Sequence, residues 1–347
     1  MAKRLALLTS GGDAPGMNAA LAAAVKVTAA AGGAALGVRS GYEGLIDGDF
    51  VTLAPRDVDG FWHRGGTELG SARSARFRER AGRLQAASNL ADAGVDGLVV
   101  IGGNGSLAGA AALQRETDIP IVGIPASIDN DIACSSTALG VDTALNTIVE
   151  ACDRISDTAR SHRRVFVVEV MGRDCGYLAM AAAIAAQADA VIFREQGKAP
   201  DDLVAELRAV IAAAAARGKK RVLIIKAEGV EIPTPQLVAR LSEDAHGFAV
   251  RHTILGHVVR GGSPSFRDRL VAGRLAFAAV QCALAGERGM VGWEPTEPGG
   301  APTADPSIQR FSLSVVLSQT DALLAGSHPA TMRRLKLLDA AQRVLPL

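Results

Sequence analysis

The chain has 347 residues, enough for one large domain or two ordinary ones with a sizeable core. Hydrophobic residues make up 48% of it, which excludes an intrinsically disordered protein. The formal net charge of +1 excludes a broad nucleic-acid or membrane footprint, so any anion site must be a local cluster of basic groups.

From the amino end, apolar β-rich runs alternate with helical patterns. Leu5–Leu8 reads as a strand and Asn18–Ala31 as the helix after it. A strand at Gly97–Ile101, a helix at Ser106–Arg115 and a strand at Ile119–Ile124 follow. Next comes a long helix, Thr143–Ala159, with Asp142 or Thr143 as its expected cap. Strands at Val165–Val170, Ala190–Phe193 and Val222–Ile225 then alternate with helices at Leu178–Gln187 and Asp202–Arg217. This βαβα order predicts an α/β protein with mostly parallel sheets covered on both faces. The two halves read as similar three-layer arrays, two Rossmann-like domains facing each other across a cleft, with the first boundary just before the long helix. The stretch Glu294–Pro306 is rich in proline and glycine and is expected to be an exposed loop; the last forty or so residues read as helical.

Cys134, Cys152, Cys175 and Cys282 are scattered with no C-x-x-C spacing. Reduced thiols in a cytoplasmic protein are expected, not a zinc site or a disulfide framework. The apolar stretch at Leu5–Leu8 is too short for a secretory leader, and the alanine-rich runs near Ala181 and Ala212 are too short to span a bilayer.

Three kinds of motif carry chemistry. Thr9–Asn18 joins the first strand to the first helix through Gly11, Gly12 and Gly16, and Gly102–Gly109 repeats the arrangement after a second buried strand. Glycine lets backbone N–H groups approach a phosphate, and the following helix offers the positive end of its dipole. A tight βα turn would also use glycine, but two such loops favour a phosphate cradle. Neither G-x-x-x-x-G-K-[ST] nor G-x-G-x-x-G is present. The second kind is Asp129-Asn130-Asp131, two carboxylates one residue apart after an apolar run. Such a pair can be a capped turn, or one carboxylate can take a proton from a hydroxyl while the other holds a metal. The third is a set of basic residues at strand ends and turns: Arg73, Arg164, Arg173, Arg251, His257 and Arg260. Each alone could be solvated surface, but as a set they suit a phosphorylated substrate and a phosphoryl group in flight. Glu228, at a strand end, suits either sugar hydroxyls or a salt bridge. His162 and His252 are given no role.

Together these motifs resemble those of the bacterial ATP-dependent 6-phosphofructokinases. The matching stretches are Leu8–Leu21, Gly65–Arg73, Gly102–Ala110, Gly123–Ile132, Val167–Ala179 and Leu255–Arg269, in the family's order, with the likeness spanning roughly Leu5 to Val291. The resemblance implies a kinase of glycolysis that phosphorylates the 1-hydroxyl of fructose 6-phosphate from ATP, with Mg2+ as cofactor. Asp129 would be the base. Asp131, with Asn104, would hold Mg2+. Gly11, Tyr42, Arg73, Gly103, Asn104, Gly105, Ser106 and Gly109 would bind the nucleotide. Ser127 would lie beside the transferred phosphoryl group, whose charge Arg173 and Arg73 would stabilise. Met171, Gly172, Glu228 and His257 would contact the sugar, and Arg164, Arg251, His257 and Arg260 its 6-phosphate. Arg164 and Arg251 would come from a neighbouring subunit of a homotetramer. The resemblance also implies a discontinuous nucleotide-binding domain, residues 1–140 with about 253–305. Residues 141–252 with the C-terminal helices to 347 would bind the sugar phosphate.

Three departures stand out. Asn104 replaces the family's usual metal-associated aspartate, which removes one unit of compensating charge. Gly105 and Ala126 stand where pyrophosphate users carry aspartate and lysine, which favours ATP as donor. The family's effector arginines are replaced by Ala22, Lys26 and Ser156, leaving Arg217 and Lys219 to supply positive charge. A weak or changed response to ADP and phosphoenolpyruvate is therefore expected. The alternatives are pyrophosphate as donor, another ketose phosphate such as sedoheptulose 7-phosphate as acceptor, and a catalytically weak regulatory paralogue.

Overall fold

The computed structural model describes residues 2–342. In chain order the elements begin β1 (Arg4–Ser10), α1 (Met17–Ala30), β2 (Ala34–Val38), α2 (Gly41–Asp47), β3 (Phe50–Leu53), α3 (Arg80–Asp92), β4 (Gly97–Gly102), α4 (Asn104–Leu113) and β5 (Ile121–Pro125). There follow α5 (Val141–His162), β6 (Arg164–Val170), α6 (Tyr177–Ala185), β7 (Ala190–Ile192), α7 (Pro200–Ala216), β8 (Arg221–Ala227), α8 (Thr234–Ser242) and β9 (Ala249–Ile254). The chain ends with α9 (Phe266–Leu284), β10 (Gly289–Trp293), β11 (Ala301–Pro302), β12 (Ile308–Phe311), α10 (Leu313–Leu324) and α11 (Pro329–Gln342). Every strand expected from the sequence is present. β2, β3, β9 and the strands beyond β9 were not anticipated: β9 carries Arg251, His252 and Thr253, and the others are at most five residues long.

Two compact units form. The first holds Met1–Thr143 and Arg260–Ala322; the second holds Ala144–Val259 and the chain from Leu323 on. The return at Arg260 is later than the expected 253, because β9 pairs with β6 in the second sheet. Residues 306–322 were expected in the second domain but lie in the first. There β12 pairs antiparallel with β10, and the Thr320 hydroxyl oxygen accepts from the Ala133 N–H at 3.1 Å.

The first unit is built on an eight-stranded sheet of order β11-β12-β10-β5-β4-β1-β2-β3. β10, β5, β4, β1 and β2 are parallel, β3 and β12 run antiparallel to them, and β11 pairs antiparallel with β12 at the edge. The central strands are apolar throughout: Leu5 to Leu8 and Leu98 to Ile101 are fully buried. From β1 the chain winds outward to β2, and from β4 it winds the opposite way to β5. Right-handed crossovers then place α1 and α4 on opposite faces. α1 packs along α9, and both helices bury small side chains, Ala20 and Ala24 in α1 and Ala272, Ala276 and Ala279 in α9. The alanine-rich composition thus serves close helix–helix contact as well as helix–sheet contact.

The second unit is built on four parallel strands, β7-β8-β6-β9. β9 is an edge strand, and Ile254 at its end is 50% exposed. Asp142 and Thr143 lie inside the first turn of α5 rather than capping it. They tie the start of α5 to α9: Asp268 accepts from the N–H groups of Gly140 and Thr143, and Asp142 accepts from the Ser265 hydroxyl. Burial pushes the Asp268 carboxyl up, against the bonds from Thr143 and Gly140 that hold it down.

The proline- and glycine-rich stretch after β10 is mostly exposed but anchored. Arg274 makes two bonds of 2.6 Å to Asp305 and stacks 4.4 Å over the Trp293 ring. The Arg274 bond holds the Asp305 carboxyl below the usual range. Its contribution is therefore full above the ordinary carboxylate value and is lost as the pH falls through the lowered native value. Arg274→Met should cost about 2 kcal/mol at pH 7 in a denaturant titration, and the deficit should shrink toward pH 2.

Candidate active site

The reversal of strand order puts a crevice at the carboxyl ends of β1 and β4, the position where open α/β sheets bind ligands. Both glycine loops open there. Gly11, at φ 91°, follows β1, and an added Cβ would lie 3.0 Å from the Ser106 hydroxyl. The loop is pinned from outside: the Ser71 hydroxyl donates to the Gly11 carbonyl at 2.6 Å and that of Thr9 to the Gly70 carbonyl at 2.9 Å. These bonds fix the irregular segment carrying Arg73, which is exposed two residues beyond Ser71. Asn18 supports the same segment, donating to the carbonyls of Arg64 and Gly65 and accepting from the Glu68 N–H. Sequence reading saw Asn18 only as a helix start.

After β4, Gly103 precedes α4 in extended conformation, and Asn104, Gly105 and Ser106 form the helix's first turn. Nothing lies within 4 Å of a Cβ added at Gly105, so the space before this helix end is open. The Ser106 hydroxyl oxygen and Asn104 Oδ1 are buried without a hydrogen-bond partner. Tyr42 is not open to a ligand through its hydroxyl, which donates to the Ser106 carbonyl at 2.6 Å. Its ring stacks on Phe77 and lies against Gly109, and burial raises its phenol far above the ordinary value. Tyr42 and Gly109 thus brace the start of α4.

The two carboxylates follow β5, the next strand along. Asp129 is 5% exposed, and its N–H donates to the Ser127 hydroxyl oxygen at 3.2 Å. Ser127 in turn donates to Asp131 Oδ1 at 2.9 Å, while Asn104 Nδ2 donates to Asp131 Oδ2 at 2.6 Å. Asn130 between them has a left-handed φ of 49°, which asparagine tolerates well. Its side chain donates to the Ser136 carbonyl and accepts from the Ala138 N–H. The sequence analysis assigned Asn130 no role. Asn104 Oδ1 and Asp131 are hard oxygen donors, suited to Mg2+ completed by water and phosphate. Arg260 also belongs here: its Nη1 lies 3.4 Å from the Asp13 carbonyl and 2.9 Å from where a Gly12 Cβ would sit. Arg260 thus falls in the first unit, whereas Arg164, Arg251 and His257 belong to the second.

In the second unit, β6 and β8 deliver Met171, Gly172, Arg173 and Glu228 to one end of the sheet. Met171 is buried and Arg173 exposed. Gly172 has φ 145° and Arg173 φ 54°. Glu228 Oε1 accepts from their N–H groups at 3.2 and 2.8 Å, so one carboxylate oxygen holds the strained turn. Arg164, the first residue of β6, lies at the opposite end, about 20 Å of strand away. Arg251 sits in register with Phe166, near Arg164. One chain does not bring these two arginines to the Arg173 end of its own sheet.

A phosphofructokinase family model matches residues 4–283. The chain belongs to this family. It is 48% identical over 289 residues to the ATP-dependent 6-phosphofructokinase of Thermotoga neapolitana, covering 82% of this chain and 88% of the relative. It is 43% identical over 325 residues to ATP-dependent 6-phosphofructokinase 1 of Thermus thermophilus, covering 93% and 99%. The structure of Saccharomyces cerevisiae phosphofructokinase aligns with a TM-score of 0.87 at 34% identity, over 97% of this chain and 48% of the yeast chain. A pyrophosphate-dependent phosphofructokinase from Marinobacter aquaeolei aligns at 0.78 with 20% identity, over 90% of this chain and 83% of that one, and shares the fold. The phosphofructokinase fold, with its parallel-dominated α/β units, is the one expected from the motifs.

Asn104→Asp would set a second carboxylate beside Asp131. The variant should melt lower than the parent in chelator, by about 2 kcal/mol, and recover on adding Mg2+ or Mn2+. The parent should show little metal dependence in the same scan.

Proposed function

We propose that the protein transfers the γ-phosphoryl group of ATP to the 1-hydroxyl of fructose 6-phosphate, giving fructose 1,6-bisphosphate and ADP in glycolysis. The observation that carries this reading is the placement of Asp129: a buried carboxylate, fixed through Ser127, in the turn after β5, the strand beside the pair whose glycine loops open the crevice. Nearly half-identical relatives bear the name ATP-dependent 6-phosphofructokinase.

Asp129 accepts the proton of the 1-hydroxyl as its oxygen bonds to the γ-phosphorus and the bond to the β–γ bridging oxygen breaks. Charge on the group in flight is met by Arg73, Arg173 and the N-terminus of α4. Gly11, Gly103, Gly105, Ser106 and Arg73 hold the nucleotide, with Gly109 and Tyr42 supporting α4. The open space at Gly105 leaves room for an α-phosphate, which supports ATP over pyrophosphate. Mg2+, held by Asp131 and the Asn104 amide oxygen, supplies charge neutralisation for the phosphates when bound. Ser127 keeps Asp131 and the Asp129 backbone in place.

Met171, Gly172, Glu228 and His257 hold the sugar, and Arg164, Arg251, His257 and Arg260 its 6-phosphate. Because Arg164 and Arg251 lie at the far end of their own sheet, they serve a neighbouring subunit's site. The β9 edge, ending at Ile254, and the turn after it with Val258 (67% exposed) suit such an interface. Membership of the family supports a homotetramer. Among the described residues no helix is long and apolar enough to cross a membrane, and the four buried free thiols suit the cytoplasm.

The effector positions are engaged internally. Lys26 pairs with Asp59 at 2.8 Å, Ser156 accepts from Arg221 at 2.7 Å, and Lys219 pairs with buried Asp189 at 2.9 Å. ADP or phosphoenolpyruvate should therefore move half-saturation for the sugar phosphate less than about twofold; a fivefold shift refutes this.

A coupled assay with fructose 6-phosphate and Mg2+ tests the main reading: turnover is expected with ATP and not with pyrophosphate. Asp129→Asn should lower kcat about a thousandfold with sugar-phosphate KM little changed. Unchanged turnover removes Asp129 as the base.

A further inference from the structure

Strand β8 runs Val222-Leu223-Ile224-Ile225, all buried and apolar, and then places a lysine inside. Lys226 is 1% exposed. Its Nζ donates to Glu169 Oε2 at 3.0 Å and to the Ala227 carbonyl at 3.3 Å. The hydroxyl of Thr234, in the first turn of α8, donates to the same carboxylate oxygen. Glu169 and Lys226 are register partners on the paired strands β6 and β8. None of the three has a part in the function proposed above.

Stability alone does not call for such a pair. Removing two charges from water costs about as much as their attraction returns, and an apolar pair of equal volume generally serves as well. What the ion pair adds is direction, because it is satisfied only in one register. The place where it adds direction is specific. Two residues beyond Glu169 lies Met171, followed by Gly172 and Arg173; two beyond Lys226 lies Glu228. The Glu228 N–H donates to the Val170 carbonyl at 2.9 Å, and the Leu255 N–H donates to the Glu169 carbonyl at 3.0 Å. Three segments therefore leave the sheet around this pair, and they carry Met171–Arg173, Glu228 and His257. One of them is the turn with left-handed Arg173, whose shape depends on Glu228 reaching two N–H groups.

We infer that Lys226, Glu169 and Thr234 are positioning residues for the sugar-phosphate end of the second unit, setting the register of Glu228 against the Gly172–Arg173 turn. The identity of the ligand rests on the proposed function; the bracing itself does not.

The test compares Lys226→Met, Thr234→Val and the double variant Lys226→Met with Glu169→Met, which keeps volume and removes both charges. Thermal melting reports the fold. Hydrogen exchange across residues 170–177 in ligand-free protein reports the turn. Lys226→Met should melt lower, because it leaves the half-buried Glu169 carboxylate, 18% exposed, beside no cation. The double variant should regain the parent's melting temperature yet exchange about tenfold faster at Gly172 and Arg173. Its KM for fructose 6-phosphate should rise about tenfold, with KM for ATP unchanged. Thr234→Val should move exchange and KM the same way by about threefold. Parent-like exchange in a parent-stable double variant overturns the inference, whatever the acceptor. If the double variant does not fold, parent-like exchange in Thr234→Val overturns it. Absence of turnover in the parent protein would instead count against the acceptor alone, because the exchange reading needs no substrate.

Discussion

Strands β1 and β4 are neighbours from which the chain winds away in opposite directions. Their following helices are therefore sent to opposite faces, and no helix can cover the gap between the two strand ends. That gap is where the two glycine loops open. Gly11 and Gly103 stand on its two sides, and β5 sets Asp129 one strand further on. A different winding would bury the same motifs under a helix or spread them along a sheet edge.

Around the gap, irregular backbone is held by a few polar side chains rather than by apolar packing. Asn18, Ser71 and Thr9 fix the segment leading to Arg73. Ser127, Asn130 and Asn104 fix the carboxylate turn. In the second unit Glu228 does the same for the Arg173 turn. Each of these groups is satisfied by backbone that would otherwise be left unpaired, so loop shape and burial of polar atoms are one problem with one solution. The Asn104–Asp131 bond also gives the site's carboxylate a partner within the protein. An aspartate at 104 would need a cation between the two groups to do as much.

The sequence revealed those parts of the fold whose signal is local. Uniform apolar runs marked β1, β4, β5, β6 and β8, and the glycine loops and Asp-x-Asp marked the strand ends. What it hid depends on pairing at long range. β9 exposes Arg251 and His252 and reads as polar, but it is a strand because β6 lies beside it. The boundary at Arg260 follows from that pairing and carries no composition change. Asp142 and Thr143 have the chemistry of caps, yet a buried Asp268 more than a hundred residues away claims Thr143 and Ser265 claims Asp142. Arg260 and His257 are three residues apart and fall in different units, a distinction no spacing rule can draw. Tyr42 was expected to touch the nucleotide, and its hydroxyl is spent on the Ser106 carbonyl.

Arg173 shows what such a site asks of a scaffold. A left-handed arginine is disfavoured by about 1 kcal/mol, and glycine would sit there without strain. Selection for heat resistance alone would remove this side chain, whereas its proposed part in charge stabilisation requires it. Wherever lineages carrying this fold have been pushed toward robustness at the expense of rate, the residue after Gly172 is a position at which that history would be written.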